Sequence, residues 1–166
     1  MPDNQSDGPV IVNNTPLVAL WSLDHLSLLR DLYTEILIPQ AVYEEFLAVD
    51  RASREDALHK ALWIKRESLS NPRQALVYVG LDQGEAEVLA LAMEHSARLV
   101  IIDERKGRRY ANRLGIPLTG TLGVLLAAKE QGLILAIAPL ITQLLRVGLF
   151  LTPAVVDNAL KLAGEK

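Results

Sequence analysis

The chain has 166 residues, a formal net charge of −3 and no cysteine; half of it (50%) is apolar, but aromatic residues contribute only 5%. This length suits a single domain with a substantial core, and the lack of cysteine excludes disulfides, thiolate metal sites and cysteine nucleophiles. The acidic balance excludes a general attraction to polyanions, so nucleic-acid binding would require a local basic patch.

The beginning of the chain is polar and lacks the basic start and the apolar run of a signal peptide. We interpret residues 1–8 as a disordered leader and residues 9–166 as a single domain. The longest apolar stretch, Gly132 to Leu145, contains Pro139 and is shorter than the roughly 20 apolar residues that a bilayer span requires. These features predict a cytoplasmic protein with no membrane segment.

Short aliphatic runs recur along the chain and predict strands. The first run ends in Asn13-Asn14-Thr15-Pro16, which is typical of the first turn of a helix, and the second ends in Pro39 in the same way. The strongest strand pattern ends at Asp103-Glu104. The predicted strands are residues 10–12, 35–39, 63–66, 98–102 and 116–119.

Segments with helical spacing separate these strands, and Asp24 is a plausible cap for the second of them. Gly115 and Gly132 are expected to end two of the later helices, and Thr152-Pro153 is expected to begin the last one. The predicted helices are residues 17–21, 25–33, 42–49, 52–61, 85–95, 105–114, 121–131, 137–147 and 153–163.

Strands that alternate with helices indicate βαβ units and right-handed crossovers. The predicted fold is therefore an α/β class, three-layer α/β/α sandwich whose central parallel sheet has about five strands. In such sheets the functional crevice lies beyond the carboxyl ends of the strands.

Oxygen-bearing side chains occur where this rule places the crevice. Asn13 follows the first strand, Asp103 and Glu104 follow the fourth, and Glu45 and Glu85 lie in helices that the crossovers return to the sheet. Carboxylate and amide oxygens are the ligands that Mg²⁺ and Mn²⁺ prefer. A metal held there can activate water for attack on a phosphodiester.

Each of these residues also has a structural interpretation. Asn13 and Asp103 could each cap the helix that follows, and Glu85 in a first helical turn is favoured by the helix dipole. Glu45 could be a solvated surface acid. Taken singly, each residue is more often structural than catalytic, so the prediction depends on their convergence.

A basic run follows the fourth predicted strand. Such a run is usually a solvated helix face, but its position beside Asp103 also suits contact with phosphates. Its members are Arg105, Lys106, Arg108, Arg109 and Arg113. The sequence contains neither a glycine-rich phosphate loop nor a Gly-x-Ser-x-Gly elbow, so nucleotide cofactors and acyl transfer are disfavoured.

The order of four segments resembles a prokaryotic branch of the PIN-like domains that is related to the toxins of toxin–antitoxin pairs. The segments are VIVNNTPLVAL, LYTEILIPQAVYEEF, LDQGEAEVLALA and LVIIDERKGRRYANRLGIPLTGTLGVLLAAKEQGLI. The resemblance covers about residues 9–164 and implies a PIN fold with acidic residues that bind Mg²⁺ or Mn²⁺ and cleave single-stranded or structured RNA.

Mapped by motif, the resemblance places Asn13 at the first acidic position and Glu45, within Val-x-x-Glu, at the second. It places Glu85 at the third, where many PIN domains carry Asp, and Asp103 or Glu104 at the fourth. Asn13 departs from the pattern, because an amide keeps an oxygen ligand but removes a negative charge.

The leading hypothesis is a metal-dependent endoribonuclease, and its more specific form is a toxin restrained by an antitoxin protein. The alternative is a catalytically weakened or inactive PIN-like module that binds RNA or protein, and a third is a structural partner in a larger assembly. The apolar end of the chain also predicts a homodimer, since exposed apolar patches mark interfaces. The residues concerned are Leu144, Leu145, Val147, Leu149, Phe150 and Leu151.

Overall fold

The computed structural model describes residues 7–166. Its sheet has five parallel strands in the order β3-β2-β1-β4-β5, so β1 lies at the centre. This confirms the predicted α/β sandwich with a central parallel sheet. The strands are β1 Val10–Val12, β2 Ile36–Pro39, β3 Ile64–Glu67, β4 Leu99–Ile101 and β5 Leu118–Thr119.

Helices connect and flank these strands in the described residues. The α-helices are α1 Asn14–Ser22, α2 Leu28–Tyr33, α3 Gln40–Leu47, α4 Arg51–Lys60, α5 Gln83–His95, α6 Arg105–Arg113, α7 Thr121–Glu130, α8 Ala138–Arg146 and α9 Pro153–Leu162. A 3₁₀ helix, Pro72–Val77, precedes α5. Helix α5 packs against β1, β2 and β4, whereas α2 and α7 pack against each other and against β2 and β5, respectively.

Strand β1 lies where the order of strands in the sheet switches sides: β2 and β3 lie on one side of it, and β4 and β5 lie on the other. Strand β2 pairs with one side of β1, with Ile11 opposite Leu37, and β4 pairs with the other side, with Val12 opposite Ile101. The residues after β1 and β4 therefore emerge side by side with no strand between them. This is the position at which parallel sheets leave a crevice for function.

The core is aliphatic, consistent with the aromatic content of only 5%. All three residues of β1 are buried, and in the described residues Phe46 is the one aromatic side chain among the fully buried large ones. The ring of Phe46 meets Trp21 edge to face at 6.2 Å, and the buried guanidinium of Arg54 lies over both rings. Arg54 also donates to the Phe46 carbonyl at 2.9 Å, which ties α4 to the end of α3.

The strands and helices predicted from the sequence are present in the structure, but some of their boundaries differ. Asp24 was a wrong choice of cap: it lies in a left-handed turn (φ +57°), and α2 begins after Ser27. Asp tolerates this conformation because its short side chain can bond locally. The 3₁₀ helix was not predicted. The proposed leader, residues 1–8, falls largely outside the described residues.

The last two helices are fastened by Glu165. Its carboxylate accepts hydrogen bonds from the first N–H groups near α8, those of Ile137 and Ala138, and from Lys129. These contacts hold the pKa of Glu165 well below its usual range, at about 2, the two backbone donors being the main cause.

Of the six residues that predicted self-association, Leu144 is wholly buried and belongs to the core, and Leu149 and Leu151 are half-buried against it. Leu145, Val147 and Phe150 are exposed. The apolar surface is therefore smaller than the sequence suggested. No helix in residues 7–166 is long and apolar enough to cross a membrane.

Replacing Phe46 by Ala should lower the free energy of unfolding by about 3–5 kcal/mol, because the ring is fully buried and little could move to fill its place. Denaturant unfolding followed by tryptophan fluorescence would measure the change. Leu62→Ala, at a side chain that is 76% exposed, is the matched control and should change stability little. Equal losses in the two variants would contradict this account of the core.

Candidate functional site

Asn13 lies at the point where β1 and β4 end together. Its backbone N–H donates to Ile101 at 2.9 Å, and it is the residue that precedes α1, yet its side chain makes no capping hydrogen bond. The buried amide instead points its nitrogen toward Glu104 Oε2 at 3.4 Å. The oxygen Oδ1 is buried and has no hydrogen-bond partner. Helix capping therefore does not account for the burial and orientation of the Asn13 side chain.

Glu104 is held in place from the β1 side. Thr15, in the first turn of α1, donates from its hydroxyl to Glu104 Oε1 at 2.7 Å, and Asn13 approaches the other oxygen. Thr15 was not among the predicted site residues. Its position in the Asn-Asn-Thr-Pro turn after a buried strand was the signal that could have identified it.

Asp103 faces a different part of the fold. Its two carboxylate oxygens accept hydrogen bonds from the backbone N–H of Thr121 at 2.8 Å and from the Thr121 hydroxyl at 2.6 Å. Thr121 begins α7, so Asp103 accepts a hydrogen bond from an otherwise unpaired N–H group of that helix, although it lies 18 residues earlier in the chain. Of the two alternatives left open by the sequence, Glu104 joins Asn13, and Asp103 does not.

Helix α5 brings Glu85 into the crevice. Asp82, the residue before α5, accepts from the Glu85 N–H at 2.8 Å, and Glu85 is only 7% exposed. Burial, followed by the nearby charges of Asp82, Glu104 and Glu45, raises the pKa of Glu85 from 4.5 to about 7, and a hydrogen bond shared with Asp82 adds to the effect. Near neutral pH the protonated and ionised forms are both populated.

Glu45 approaches from α3. As a residue it is exposed, but burial of the carboxyl group raises its pKa, and the charges of Asp82 and Glu104 act in the same direction. The Asn14 side chain forms a hydrogen bond with Glu45 that partly offsets this. Glu45, Glu85 and Glu104 therefore act on one another electrostatically, although they come from three separate helices or helix starts.

Gly84 shows how closely these oxygens approach. A Cβ atom at this position would lie 2.9 Å from Glu45 Oε2, 3.5 Å from Asp82 Oδ1 and 3.6 Å from Asn13 Oδ1. Three oxygens thus surround one point that only a glycine leaves open. Asp82 was not among the predicted site residues, but the spacing Asp-x-x-Glu at a helix start could have revealed it.

The side chains fit a divalent cation in their chemistry. All the candidate ligands are oxygens, Asn13 Oδ1 lacks a partner, and like charges crowd one crevice. In residues 7–166, however, no three His, Asp or Glu side chains are already close enough together to hold a metal ion. The amide of Asn13 would have to complete the set, with small movements of the carboxylates.

The predicted basic residues lie on α6, which begins directly after Glu104. Gly107 and Ala111 are buried and seat the helix against the core, whereas Arg105, Lys106, Arg109 and Arg113 are exposed. Arg108 is half-buried, and its Nη1 donates to the Ile102 carbonyl at 2.8 Å. The exposed members form a basic surface that begins beside the acidic crevice.

The fold and the crevice define an α/β protein whose polar site lies at the carboxyl ends of the neighbouring strands β1 and β4. A family model described as PIN domain matches residues 9–165, so the chain belongs to the PIN domain family. PIN domains are generally nucleases and typically use divalent metals. No curated protein matches the chain.

The raised pKa of Glu85 predicts a pH-dependent stability in the presence of a chelator. Between the unfolded pKa of 4.5 and the folded value of about 7 the folded chain holds a proton that the unfolded chain has released. This stabilisation is complete below pH 4.5 and is lost as the pH rises through 7. Glu85→Gln cannot ionise, so its unfolding free energy should decline less over this range in denaturant titrations.

Glu130→Gln, at an exposed acid on α7, is the control for the charge change and should keep the parental pH dependence. Identical slopes for Glu85→Gln and the parent would show that Glu85 is not perturbed. Some slope should remain in the variant, since the pKa of Glu45 is raised in the same direction.

Gly84→Ala should separate stability from site function. Gly84 has helical backbone in the first turn of α5, and the added methyl group would come within 3.0 Å of only the flexible end of Glu45, so the fold should be retained. The added methyl group would crowd Glu45 Oε2 and occupy the point between the three oxygens. Calorimetric titration with Mn²⁺ should show weaker binding than in the parent, whereas unchanged binding would place the cation elsewhere.

Proposed function

We propose that the protein is a metal-dependent endoribonuclease of the PIN type. The observation that carries this proposal is the convergence of Asn13 Oδ1 with the carboxylates of Glu45, Asp82, Glu85 and Glu104 at the carboxyl ends of β1 and β4. Such a set has little structural benefit, because like charges destabilise a partly buried site. Membership of the PIN domain family supports the same activity.

Glu45, Glu85, Glu104 and Asn13 are the residues that would hold Mg²⁺ or Mn²⁺. When bound, the cation would supply activated water and offset the charge that develops on a phosphodiester. Thr15 and Asn13 orient the Glu104 carboxylate, and Asp82 fixes the turn of α5 that carries Glu85. In the metal-free site the pKa of Glu85 is raised to about 7, so binding of the cation near neutral pH would release a proton from this carboxyl group.

The amide of Asn13 should weaken the metal site compared with a carboxylate. It offers the buried Oδ1 as a ligand but contributes no negative charge. We therefore expect activity at higher metal concentrations, with Mn²⁺ preferred to Mg²⁺.

RNA is the proposed substrate. The chain as a whole is acidic, with a net charge of −3, so the exposed cations of α6 are the feature that could attract a polyanion to this end of the sheet. Arg105 and Lys106 lie within two positions of Glu104 along the chain. Phosphates bound along α6 would therefore approach the crevice.

The alternative function is an inactive PIN domain that binds RNA or protein. Asn13, together with the lack of an already assembled carboxylate trio in the described residues, favours it. Such a module would bind RNA without cutting it and would bind Mn²⁺ weakly or not at all. We further propose a cytoplasmic location, an antitoxin protein as a partner, and a homodimer that uses the exposed Leu145 and Val147.

Carboxamide substitutions test the activity. Glu85→Gln and Glu104→Gln should each reduce Mn²⁺-dependent cleavage of single-stranded RNA by more than the roughly 100-fold that loss of an outer-sphere partner costs. Asp103→Ala should retain more activity but lose about 0.5–2 kcal/mol of stability, because α7 loses the acceptor for its first N–H. Glu130→Gln is the control that removes an exposed charge far from the crevice.

Wild-type cleavage rates in Glu104→Gln, combined with loss of cleavage in Asp103→Ala, would reverse this assignment of the two acids. Saturable RNA binding without cleavage at any Mn²⁺ concentration would support the inactive module instead.

A further inference from the structure

A groove lies beside the acidic crevice, between the start of α7 and the segment that joins α8 to α9. Its volume is about 390 Å³, within the range of small-ligand sites. Asp103, Arg108, Phe150 and Thr152 are among the residues that line it. Asp103 directly precedes Glu104 in the chain, so the groove adjoins the end of β4, from which Glu104 enters the crevice.

The two glycines that line this groove are tightly covered by side chains. A Cβ at Gly120 would lie 2.5 Å from Asp103 Oδ1 and 2.9 Å from Arg108 Nη1, and one at Gly123 would collide with the Thr119 hydroxyl. The glycines therefore allow the Asp103 carboxylate, the Arg108 guanidinium and the Thr119 hydroxyl to lie directly against the main chain, where all three residues line the groove.

Arg108 provides a fixed positive charge at the groove. Its Nη1 donates to the Ile102 carbonyl at 2.8 Å, which anchors the guanidinium beside the end of β4. A guanidinium has five N–H donors, so this one bond leaves donors for another acceptor. Among the basic residues of α6, Arg108 is the one that lines the groove.

Phe150 provides an exposed aromatic face. Its side chain is 85% exposed, although the neighbouring Leu149 and Leu151 pack against the core. Thr152 caps α9 through the Val155 N–H at 3.3 Å and holds the end of the segment. The ring is thus presented to solvent on an anchored stretch of backbone, beside the groove that it lines.

We propose that this groove binds one unpaired nucleotide of the RNA beside the cleaved phosphodiester, with its base against Phe150 and a phosphate near Arg108. A positive group combined with a free aromatic face is how proteins hold single-stranded nucleic acid without reading its sequence. The bases of a duplex are already stacked and cannot use the ring. This inference rests on the proposed function and adds a binding position for one base beside the cleaved bond.

The test measures the binding of an end-labelled, short single-stranded RNA by fluorescence anisotropy. Glu85→Gln is the background so that the RNA stays intact. Adding Phe150→Ala should weaken binding roughly 5- to 100-fold, the cost of one lost base–aromatic stack. Phe150→Leu, which keeps apolar volume without a ring, should weaken it similarly, and Phe150→Trp should restore it.

Leu135→Ala removes a side chain that is 97% exposed and is the matched control, with no expected loss of affinity. A duplex of the same sequence should bind equally to the background protein and to Phe150→Ala. Equal single-strand affinity for all Phe150 variants would overturn the groove assignment while leaving the nuclease proposal standing.

Two other results would also be decisive. If Phe150→Ala converts a dimer into a monomer in sedimentation without changing RNA affinity, the groove is an interface between copies of the chain and the inference is wrong. If the Glu85→Gln background does not bind RNA at all, the proposed function fails and the inference fails with it.

Discussion

The pairing of β1 with β4 is the constraint on which the site depends. Because Val12 lies opposite Ile101, the Asn13 N–H can reach the Ile101 carbonyl, and the turns after both strands open at one edge. A slip of one residue in this register would move each side chain of β1 to the opposite face of the sheet. Four separate parts of the chain place oxygens in one crevice while that register holds.

Much of the fold could be predicted from the sequence, because its information is local. Three-residue aliphatic strands, such as Val10–Val12, are buried on both faces and read as continuous apolar runs. Turns were harder. Asp24 looked like a helix cap and adopts a left-handed turn, and Leu144 looked like surface and is buried by contacts between distant helices.

Most of the residues that meet in the crevice were named from the sequence, and the residues that were missed or left undecided share a cause. Sequence order brought Asn13, Glu45, Glu85 and Glu104 into consideration, but the choice between Asp103 and Glu104 depends on Thr121, which is distant along the chain. Asp82 and Thr15 were overlooked because a capping or turn residue has the same local sequence pattern whether or not its side chain also faces a site. Direction of a side chain is a tertiary property.

Asn13 has a consequence for the folded chain itself. Its amide nitrogen faces the Glu104 carboxylate, so this buried position contributes a donor where an ionised Asp would contribute a second acceptor and a repulsive charge. The strand ends can therefore come together without a counter-ion to neutralise them. The folding of this edge of the sheet should therefore depend little on the concentration of divalent ions.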